Sequence, residues 1–458
     1  MPRPISGSGE VDMWTDIVLI VYAAILLGIA FLSLKYNTNL ENFLVAGHKQ
    51  RKILVVASML ASTIGGGITI GTVANAYRIG FPAFWFVAAG GIAHFLQGAL
   101  LSERVRASEA LTLPDLANRH LGPAVRMEIS LIILVTWIGI SAAQFVAAAR
   151  VITTLTGMPH AGAVLSAAAF IVVYTLIGGQ KSVLRTDLFQ FGILAGAVVL
   201  VLAYLFLAKP PAPGSIRIDL FTKSFGPLDL VYYVVVMGGS YFICPMMFSR
   251  ILSADSPANA RKSSFLSGTG MLFFAFAITF VGLWARSSLP DLGGLDPLNA
   301  IAKNQVPSAL GIVLIVGLLA AILSTADTVL ITAAGILEHD VFKGTRVAGV
   351  RMWTVAVGAV GAFIALFQTD VIAMLMKTYN GYTAGLVPAL FVALMLPTDR
   401  RIRPLWGFAA IAGGYALGFA GSITGSKLLP LVGMAVSAGI ALAGIRRTAD
   451  ATNATAGR

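Results

Sequence analysis

The stretch ASMLASTIGGGITIG, residues 57–71, is an apolar segment of membrane-helix character that is interrupted by Ser62, Thr63 and the consecutive glycines Gly65, Gly66 and Gly67. Each glycine in a helix interior costs about 1 kcal/mol, so three in a row predict a break. In lipid, an unwound turn survives only where protein or a bound ligand partners its backbone groups. Two interpretations follow: a binding site at the break, or close helix packing through small residues.

The composition of the whole chain is that of an integral membrane protein. Of its 458 residues, 57% are hydrophobic and 11% are charged, and the mean hydropathy is +0.85. A soluble surface needs far more charge, and no charged stretch is long enough to form a separate soluble domain. We therefore expect a single membrane domain, residues 1–458.

Apolar runs of about 20 residues predict thirteen membrane helices. Their ranges are 14–34, 53–72, 81–101, 128–150, 161–178, 187–207, 228–248, 264–285, 309–337, 352–368, 371–396, 404–424 and 428–445. On one side of the bilayer, the segments 35–52, 104–126, 181–185, 250–262, 343–351, 400–403 and 446–458 hold 22 of the 32 Lys and Arg residues. The positive-inside rule makes these segments cytoplasmic and the N-terminus external, in the cell (inner) membrane. This bias explains the net charge of +12 without a nucleic-acid partner.

A second interruption lies in the predicted helix 228–248, at Gly238, Gly239 and Ser240, with Pro245 one turn later. It comes five spans after the first interruption. Because five is odd, a helix five spans later runs in the opposite direction across the membrane. The segments 53–207 and 228–396 could therefore be two halves of inverted topology, with 14–34 before them and 404–445 after them. Paired broken helices of this kind mark a midplane binding site in secondary transporters.

The predicted helix 309–337 carries the densest polar group within an apolar run: Ser324, Thr325, Asp327 and Thr328. An aspartate at the centre of a membrane helix costs roughly 2.5 to 3.5 kcal/mol, so Asp327 should face protein, water or a cation. The three hydroxyls share one helix face. Hard oxygen ligands suit a small hard cation such as sodium, whereas the scattered histidines do not suggest a transition-metal site.

Two other charges are open to two interpretations each. Asp187 follows a Gly178-Gly179 turn and begins the predicted helix 187–207, where it is an N-cap or, if it faces the bundle, a candidate cation relay. Lys377, in the predicted helix 371–396, extends to the outer interface or receives an anionic substrate such as a carboxylate.

Three segments resemble the signatures of the sodium:solute symporter family. They are NLENFLVAGHK from residue 39, YTLIGGQKSVLRTDLFQ from residue 174, and AAILSTADTVLITAAGILEHDVFK from residue 320. They occur in the order found in that family. The resemblance implies an all-α polytopic membrane protein with the LeuT-like 5+5 inverted repeat and 13 transmembrane helices, one before the core and two after it.

The resemblance also implies the site residues and the coupling ion, Na⁺. Sodium ligands would be the backbone carbonyls of Ala61, Ile64 and Ala321 and the hydroxyls of Ser324 and Thr325. Asp187 matches an aspartate near the inward sodium path. In some members a second sodium lies near that aspartate, and here Asp327 and Thr328 would contribute to it.

The substrate is expected to be small. Sugar-transporting members carry polar side chains where this chain has Ile68 and Val87, so a sugar is disfavoured. The expected pocket walls are Thr63, Gly66, Phe84, Trp137, Gln144, Tyr241 and Lys377. They suggest a small organic solute such as a monocarboxylate or an amino acid, taken up with sodium across the lipid bilayer by alternating access.

Three alternatives remain at this point. The first is a proton-coupled or sodium-independent carrier of the same fold. The second is a membrane solute sensor. A sensor is expected to carry an output domain, and the few residues after Arg447 argue against one. The third is a membrane enzyme, but no set of nucleophile, histidine and carboxylate is visible on an inside face, so we expect none.

Overall fold

The computed structural model of the chain is almost entirely helical and describes residues 9–367, 371–397 and 399–447. The side chains of 9–16, 154–155 and 371–378 are outside this description. The helices of the first half are α1 (Gly9–Ser33), α2 (Leu40–Val45), α3 (Lys52–Thr63), α4 (Gly66–Ile79), α5 (Phe84–Leu100), α6 (Ser102–Ala107), α7 (Leu113–Leu121), α8 (Pro123–Thr156) and α9 (His160–Ala208). Short 3-10 turns at Leu34–Tyr36, Ala46–His48 and Phe81–Ala83 connect them.

The second half begins with α10 (Pro227–Tyr232), a π-helical turn (Tyr233–Met237), α11 (Gly238–Phe242) and α12 (Pro245–Ser253). It continues with α13 (Pro257–Ser288), α14 (Pro297–Asn304), α15 (Ser308–Ile336), a second π-helical turn (Leu337–Val341) and α16 (Val347–Phe367). The chain then forms α17 (Val371–Met395), β1 (Arg400–Ile402), α18 (Pro404–Thr424), α19 (Leu428–Ala443) and β2 (Ile445–Arg447). The two strands pair antiparallel.

The length and apolar character of the helices fit a multi-pass membrane protein. Eight helices among the described residues are long and apolar enough to cross a membrane, and two bent pairs each make one further candidate span. One of the eight, α9, contains 49 residues and so covers both predicted spans 161–178 and 187–207. The exact number of thirteen crossings stays a prediction.

Helix α9 is broken at Gly179, whose φ of +68° lies in the left-handed region that favours glycine. The Asn37 side chain stabilises the break by donating to the Gly178 carbonyl at 2.8 Å. The helix resumes directly after the glycine rather than at residue 187, so Asp187 lies two turns inside it and is fully buried. The interpretation of Asp187 as an N-cap is therefore wrong, and the bundle-facing alternative holds.

The first predicted break is confirmed. Helix α3 ends at Thr63 and α4 begins at Gly66, with a bend of 55° between them. The packing interpretation of the glycines holds here, because α15 packs against the break, and the binding-site interpretation stays a prediction. A Cβ at Gly65 would lie 2.5 Å from Thr325 Oγ1, and one at Gly66 would lie 2.1 Å from Ile322 Cγ1.

The second break lies a turn later than predicted. The bend of 45° falls between Phe242 and Pro245, not at Gly238 to Ser240, which are helical. Proline has no amide hydrogen and a fixed φ, so Pro245 starts a new helix. The glycines serve packing instead, because a Cβ at Gly239 would lie 2.7 Å from a methyl carbon of Thr383.

The last three helices pack with their backbones in contact, and we call α17, α18 and α19 the glycine-packed helices. A Cβ at Gly414 would lie 2.3 Å from the Ala384 carbonyl oxygen. One at Gly418 would lie 2.3 Å from the Asn380 carbonyl oxygen, and one at Gly433 would lie 2.8 Å from that of Gly414. Only glycine permits approaches this close.

A methyl group at the first break is expected to destabilise the protein. Gly66→Ala forces Ile322 to shift, and overpacking of this kind costs about 1–3 kcal/mol. The matched control is Gly192→Ala in α9, where no atom lies within 4 Å of the new Cβ and helix propensity improves. Thermal unfolding in detergent should give a lower Tm for Gly66→Ala alone; equal Tm values for the two variants would contradict the close packing.

Candidate functional site

Four of the five predicted sodium ligands lie in two hydrogen-bonded pairs where α15 faces the end of α3. The Ser324 Oγ donates to the Ala61 carbonyl at 2.8 Å. The Thr325 Oγ1 donates to the Ala321 carbonyl at 3.0 Å, and it lies 3.4 Å from the Ser62 carbonyl oxygen. A hydroxyl can rotate its hydrogen and keeps two lone pairs, so each pair could turn two oxygens toward a cation.

The fifth predicted ligand, the Ile64 carbonyl, lies at the break itself. The Ile64 amide closes the last turn of α3 by donating to the Leu60 carbonyl at 2.8 Å. The ψ of Ile64, 60°, is outside the helical region. The next residue, Gly65, lies against Thr325. The Ile64 carbonyl belongs to the peptide group that joins Ile64 to Gly65, so it is next to this contact with α15. All five predicted ligand residues are buried.

A fully buried arginine contacts the polar side chains that lie one helical turn along α3 and α15 from these pairs. Arg250 on α12 pairs with Asp187 on α9, with Nη2 3.3 Å from Oδ2 and both side chains completely inaccessible to solvent. Its Nε donates to Ser58 Oγ at 3.0 Å, its Nη2 donates to Ser62 Oγ at 2.9 Å, and Nη2 also donates to Thr328 Oγ1. Ser58 in turn donates to Asp187 Oδ2.

We call these residues, together with the adjacent Asp327, the Arg250 cluster: Ser58, Ser62, Asp187, Arg250, Asp327 and Thr328. Thr328 Oγ1 lies 3.3 Å from Asp327 Oδ1. Among the described residues, Asp187 Oδ1 and Asp327 Oδ2 have no hydrogen-bond partner. Of the two carboxyl groups, only that of Asp187 pairs with the guanidinium. Since a buried charge needs a partner, the cluster has the chemistry to accept another cation or a proton at Asp327.

Sequence reasoning missed Arg250. We placed it in the cytoplasmic segment 250–262, whereas the structure places it within α12, which is part of the second bent span, with its side chain 0% exposed. The physical reason is the true position of the second break, which starts α12 at Pro245 and carries the helix through residue 250 to Ser253. A break assigned to Pro245 from the sequence would have indicated an arginine inside the membrane helix.

Two predicted substrate residues, Trp137 and Gln144, lie on one face of α8, two helical turns apart. The Trp137 ring packs on Tyr382 of α17, with 5.5 Å between ring centroids. Both residues are buried, and Trp137 Nε1 and Gln144 Oε1 have no partner among the described residues. Tyr382, which also donates to the Ile243 carbonyl at the second break, is a neighbour of these two residues that sequence reasoning did not select.

The other predicted pocket residues are more dispersed. Phe84 stacks on Phe81 and packs against Phe276 of α13, with 4.5 Å between the last two ring centroids. Gly66 is pressed against Ile322, so its small size serves helix packing and does not leave space for a substrate.

Thr63 and Tyr241 are both buried close to the two breaks. Thr63 Oγ1 donates to the Met59 carbonyl of its own helix and lies 3.5 Å from the sulfur of Met247 on α12. The Tyr241 ring packs against α5, 3.0 Å from the position of a Cβ at Gly90. The predicted role of Lys377 falls outside the described side chains.

Two broken helices, joined by a buried charge cluster and facing an oxygen-rich segment of a third helix, define a class of protein: ion-coupled membrane transporters. The family model of the sodium:solute symporter family matches residues 43–398. The chain belongs to the sodium:solute symporter family, which consists of transporters and not of enzymes. Sodium is the coupling ion implied by this family, and the cargo is a small solute.

Similar proteins agree with this assignment. The chain is 24% identical to the sodium/proline symporter of Escherichia coli, with 84% of each chain covered. It is 25% identical to sodium/proline symporter 2 of Staphylococcus saprophyticus, with 83% of this chain and 81% of the relative covered.

Solved structures agree on the LeuT-like fold. A substrate-bound, outward-open Na⁺-coupled sialic acid symporter superposes with a TM-score of 0.75 at 15% identity, covering 93% of this chain and 96% of that one. Mhp1, a nucleobase-cation-symport-1 family transporter, gives 0.60 at 14% identity over 88% and 94%. MhsT in complex with L-phenylalanine gives 0.56 at 16% identity over 86% and 97%.

Removing one partner of the Arg250–Asp187 pair is expected to destabilise the protein strongly. Arg250→Met or Asp187→Asn leaves a buried polar or charged group without its partner, which costs about 3–5 kcal/mol. The double variant should lose less stability than the sum of the single variants. Thermal unfolding of all four proteins in detergent measures this coupling.

The matched control is the pair Arg217–Asp219, which is 3.1 Å apart but exposed. The same cycle there, with Arg217→Met and Asp219→Asn, should show a coupling of about 0–1 kcal/mol. Additive effects at Arg250 and Asp187 would contradict a dependence of the fold on the buried pair.

Proposed function

We propose that the sodium ion binds between the α3–α4 break and α15, with the carbonyls of Ala61, Ile64 and Ala321 and the hydroxyls of Ser324 and Thr325 as ligands. The observation that supports this most directly is the 2.8 Å contact between Ser324 Oγ and the Ala61 carbonyl oxygen, which joins the two helices. Five neutral oxygens form a donor set that suits a hard monovalent cation.

Such a site would couple the ion to the movement of the helices. Three ligands come from α15 and two from the end of α3 and the break, so an ion held by all five favours the arrangement in which these elements are close. An ion changes a conformational equilibrium only by its differential affinity for the two states. If the solute binds beside the break in the same arrangement, sodium and solute would each raise the affinity for the other by the same factor.

We propose a second cation position at the Arg250 cluster, near Asp187, Asp327 and Thr328. It is supported by the two unpartnered carboxylate oxygens and by the ratio of two carboxyl groups to one guanidinium. Arg250 Nη2 already contacts Asp187 and Thr328. The guanidinium therefore neutralises the Asp187 carboxylate, and the bound cation would neutralise the Asp327 carboxylate.

We propose that the solute is a small zwitterionic amino acid. The relatives are named as sodium/proline symporters. The Trp137 indole offers an unused N–H donor, which a carboxylate accepts, and the Gln144 side chain offers an unused carbonyl acceptor, which an ammonium group needs. A monocarboxylate without an amino group is the second candidate and would leave the Gln144 oxygen unpaired. The buried Ile68 and Val87 disfavour a sugar.

We propose that the protein lies in the cell (inner) membrane with its N-terminus outside and its C-terminus in the cytoplasm. Without Arg250, the predicted cytoplasmic segments still hold 21 of the 32 Lys and Arg residues. Two contacts each support a shared side for one pair of these segments. Strand β1 pairs with β2, and the Gln50 amide donates to the Ser253 carbonyl at 2.9 Å.

Uptake into proteoliposomes is expected to require a sodium gradient. The double variant Ser324→Ala, Thr325→Ala should need roughly ten-fold more sodium for half-maximal uptake, since it loses two ligands. Asp327→Asn should lower the Hill coefficient for sodium toward 1, because it removes the second cation position. The initial rate of solute uptake, measured against sodium concentration at fixed pH, tests both.

The control for the hydroxyl variants is Thr354→Ala on α16, whose Oγ1 donates to the carbonyl four residues earlier, as that of Thr325 does. It should keep the sodium dependence of the parent protein. Uptake that follows a proton gradient and ignores sodium would favour the proton-coupled carrier. Unchanged sodium dependence in the double variant would reject the five-ligand site.

The role of Trp137 is tested by Trp137→Phe, which keeps an aromatic ring and removes the N–H. We expect the KM for a radiolabelled amino acid, with proline as the first probe, to rise roughly ten-fold at saturating sodium. The control is Trp284→Phe on α13, where the indole N–H donates to the Lys209 carbonyl at 2.8 Å. An equal KM in both variants would place the solute elsewhere.

A further inference from the structure

A basic cavity of about 350 Å³ opens at one end of the helix bundle, apart from the transport site. It lies where the end of α1, the segment around α2, the start of α3 and α9 meet. Four cationic side chains line it, those of Lys35, Lys49, Arg51 and Lys181, together with Tyr36. No acidic residue is among the described residues that line the cavity.

The cations converge on one aromatic ring. The Lys181 ammonium nitrogen lies 3.3 Å from the centroid of the Tyr36 ring. The Lys35 ammonium and the Arg185 guanidinium each lie 5.3 Å from it. The ring faces attract cations, but they do not cancel the mutual repulsion of three positive charges.

Among the described residues, these cations also have no carboxylate partner. The ion pairs among the described residues involve other basic residues, namely Arg119, Arg126, Arg217, Arg250, Arg261 and Lys427. Uncompensated positive charge around a preformed cavity is an arrangement that an anion stabilises. The anion must fit a space that is open to the surroundings on one side.

The surface beside the cavity is apolar and exposed. Phe31 and Leu32, in the last turn of α1, are 56% and 69% exposed, and Ile53, in the first turn of α3, is 61% exposed. On α9, the 40% exposed Leu188 follows Lys181 by two helical turns and therefore shares its face. In a membrane protein, side chains of this kind contact acyl chains.

We propose that this cavity binds the phosphate headgroup of an anionic phospholipid, whose acyl chains run along the exposed apolar side chains of α1, α3 and α9. Basic pockets between membrane helices on the cytoplasmic side bind such headgroups. A free phosphate would use the cations but not the apolar surface. The lipid would join α1, the first half of the broken α3–α4 helix and the segment just after the Gly179 break.

The test uses the full-length protein in neutral detergent with added phosphatidylglycerol or phosphatidylcholine. Native mass spectrometry should detect retained phosphatidylglycerol, and this lipid alone should raise the Tm. The variant Lys35→Gln, Lys181→Gln, Arg185→Gln should retain the anionic lipid roughly ten-fold less, because each cation near an anionic headgroup contributes to binding. Its Tm in phosphatidylcholine should equal that of the parent protein.

The matched control removes three exposed cations elsewhere, Arg400→Gln, Arg401→Gln, Arg447→Gln, and should keep the lipid. If the triple variant at the cavity does not fold, Lys181→Gln alone should show a smaller loss in the same direction. Equal lipid loss in the cavity and control variants would overturn the proposal. So would equal effects of the two lipids, or full stabilisation by potassium phosphate or glycerol 3-phosphate.

Discussion

The ion pair between Arg250 and Asp187 is the interaction on which the centre of this protein depends. No water in the hydrocarbon region can stabilise an isolated charge, so each of the two groups requires the other. Because Ser58 and Thr328 also contact Arg250, the pair connects α12 with α9, α3 and α15. These helices include both broken ones, and a movement of any of them changes the environment of a buried charge.

The same constraint explains how the two breaks are tolerated. At the first break, the Ala61 carbonyl accepts from Ser324 of α15. At the second, the Phe242 carbonyl accepts from Gln97 of α5, and the Ile243 carbonyl accepts from Tyr382 of α17. Each interrupted helix is thus stabilised by side chains of helices that it packs against, which keeps freed backbone groups out of lipid.

The composition of the sequence was sufficient for the class, and three signature segments were sufficient for the family. The first break was predictable because three consecutive glycines in an apolar run have few compatible structures. The sequence was insufficient for the second break, since a Gly-Gly pair permits both unwinding and close packing, and here Gly239 packs against Thr383. Arg250 could not be separated from a loop arginine by composition. For Asp187 the sequence left two alternatives, an N-cap and a candidate cation relay, and only the continuation of α9 after Gly179 excludes a capping role.

The glycine-packed helices have a mechanical consequence. Where Gly414 and Gly418 lie against the carbonyls of Ala384 and Asn380, the contact is made by main chain, and no side-chain rotamer can absorb a displacement. Helices α17, α18 and α19 therefore behave as one stiff body. Tyr382 belongs to that body, so its backbone position is fixed relative to α18 and α19. Any change in the contact between the Trp137 and Tyr382 rings must come from a movement of α8 relative to that body.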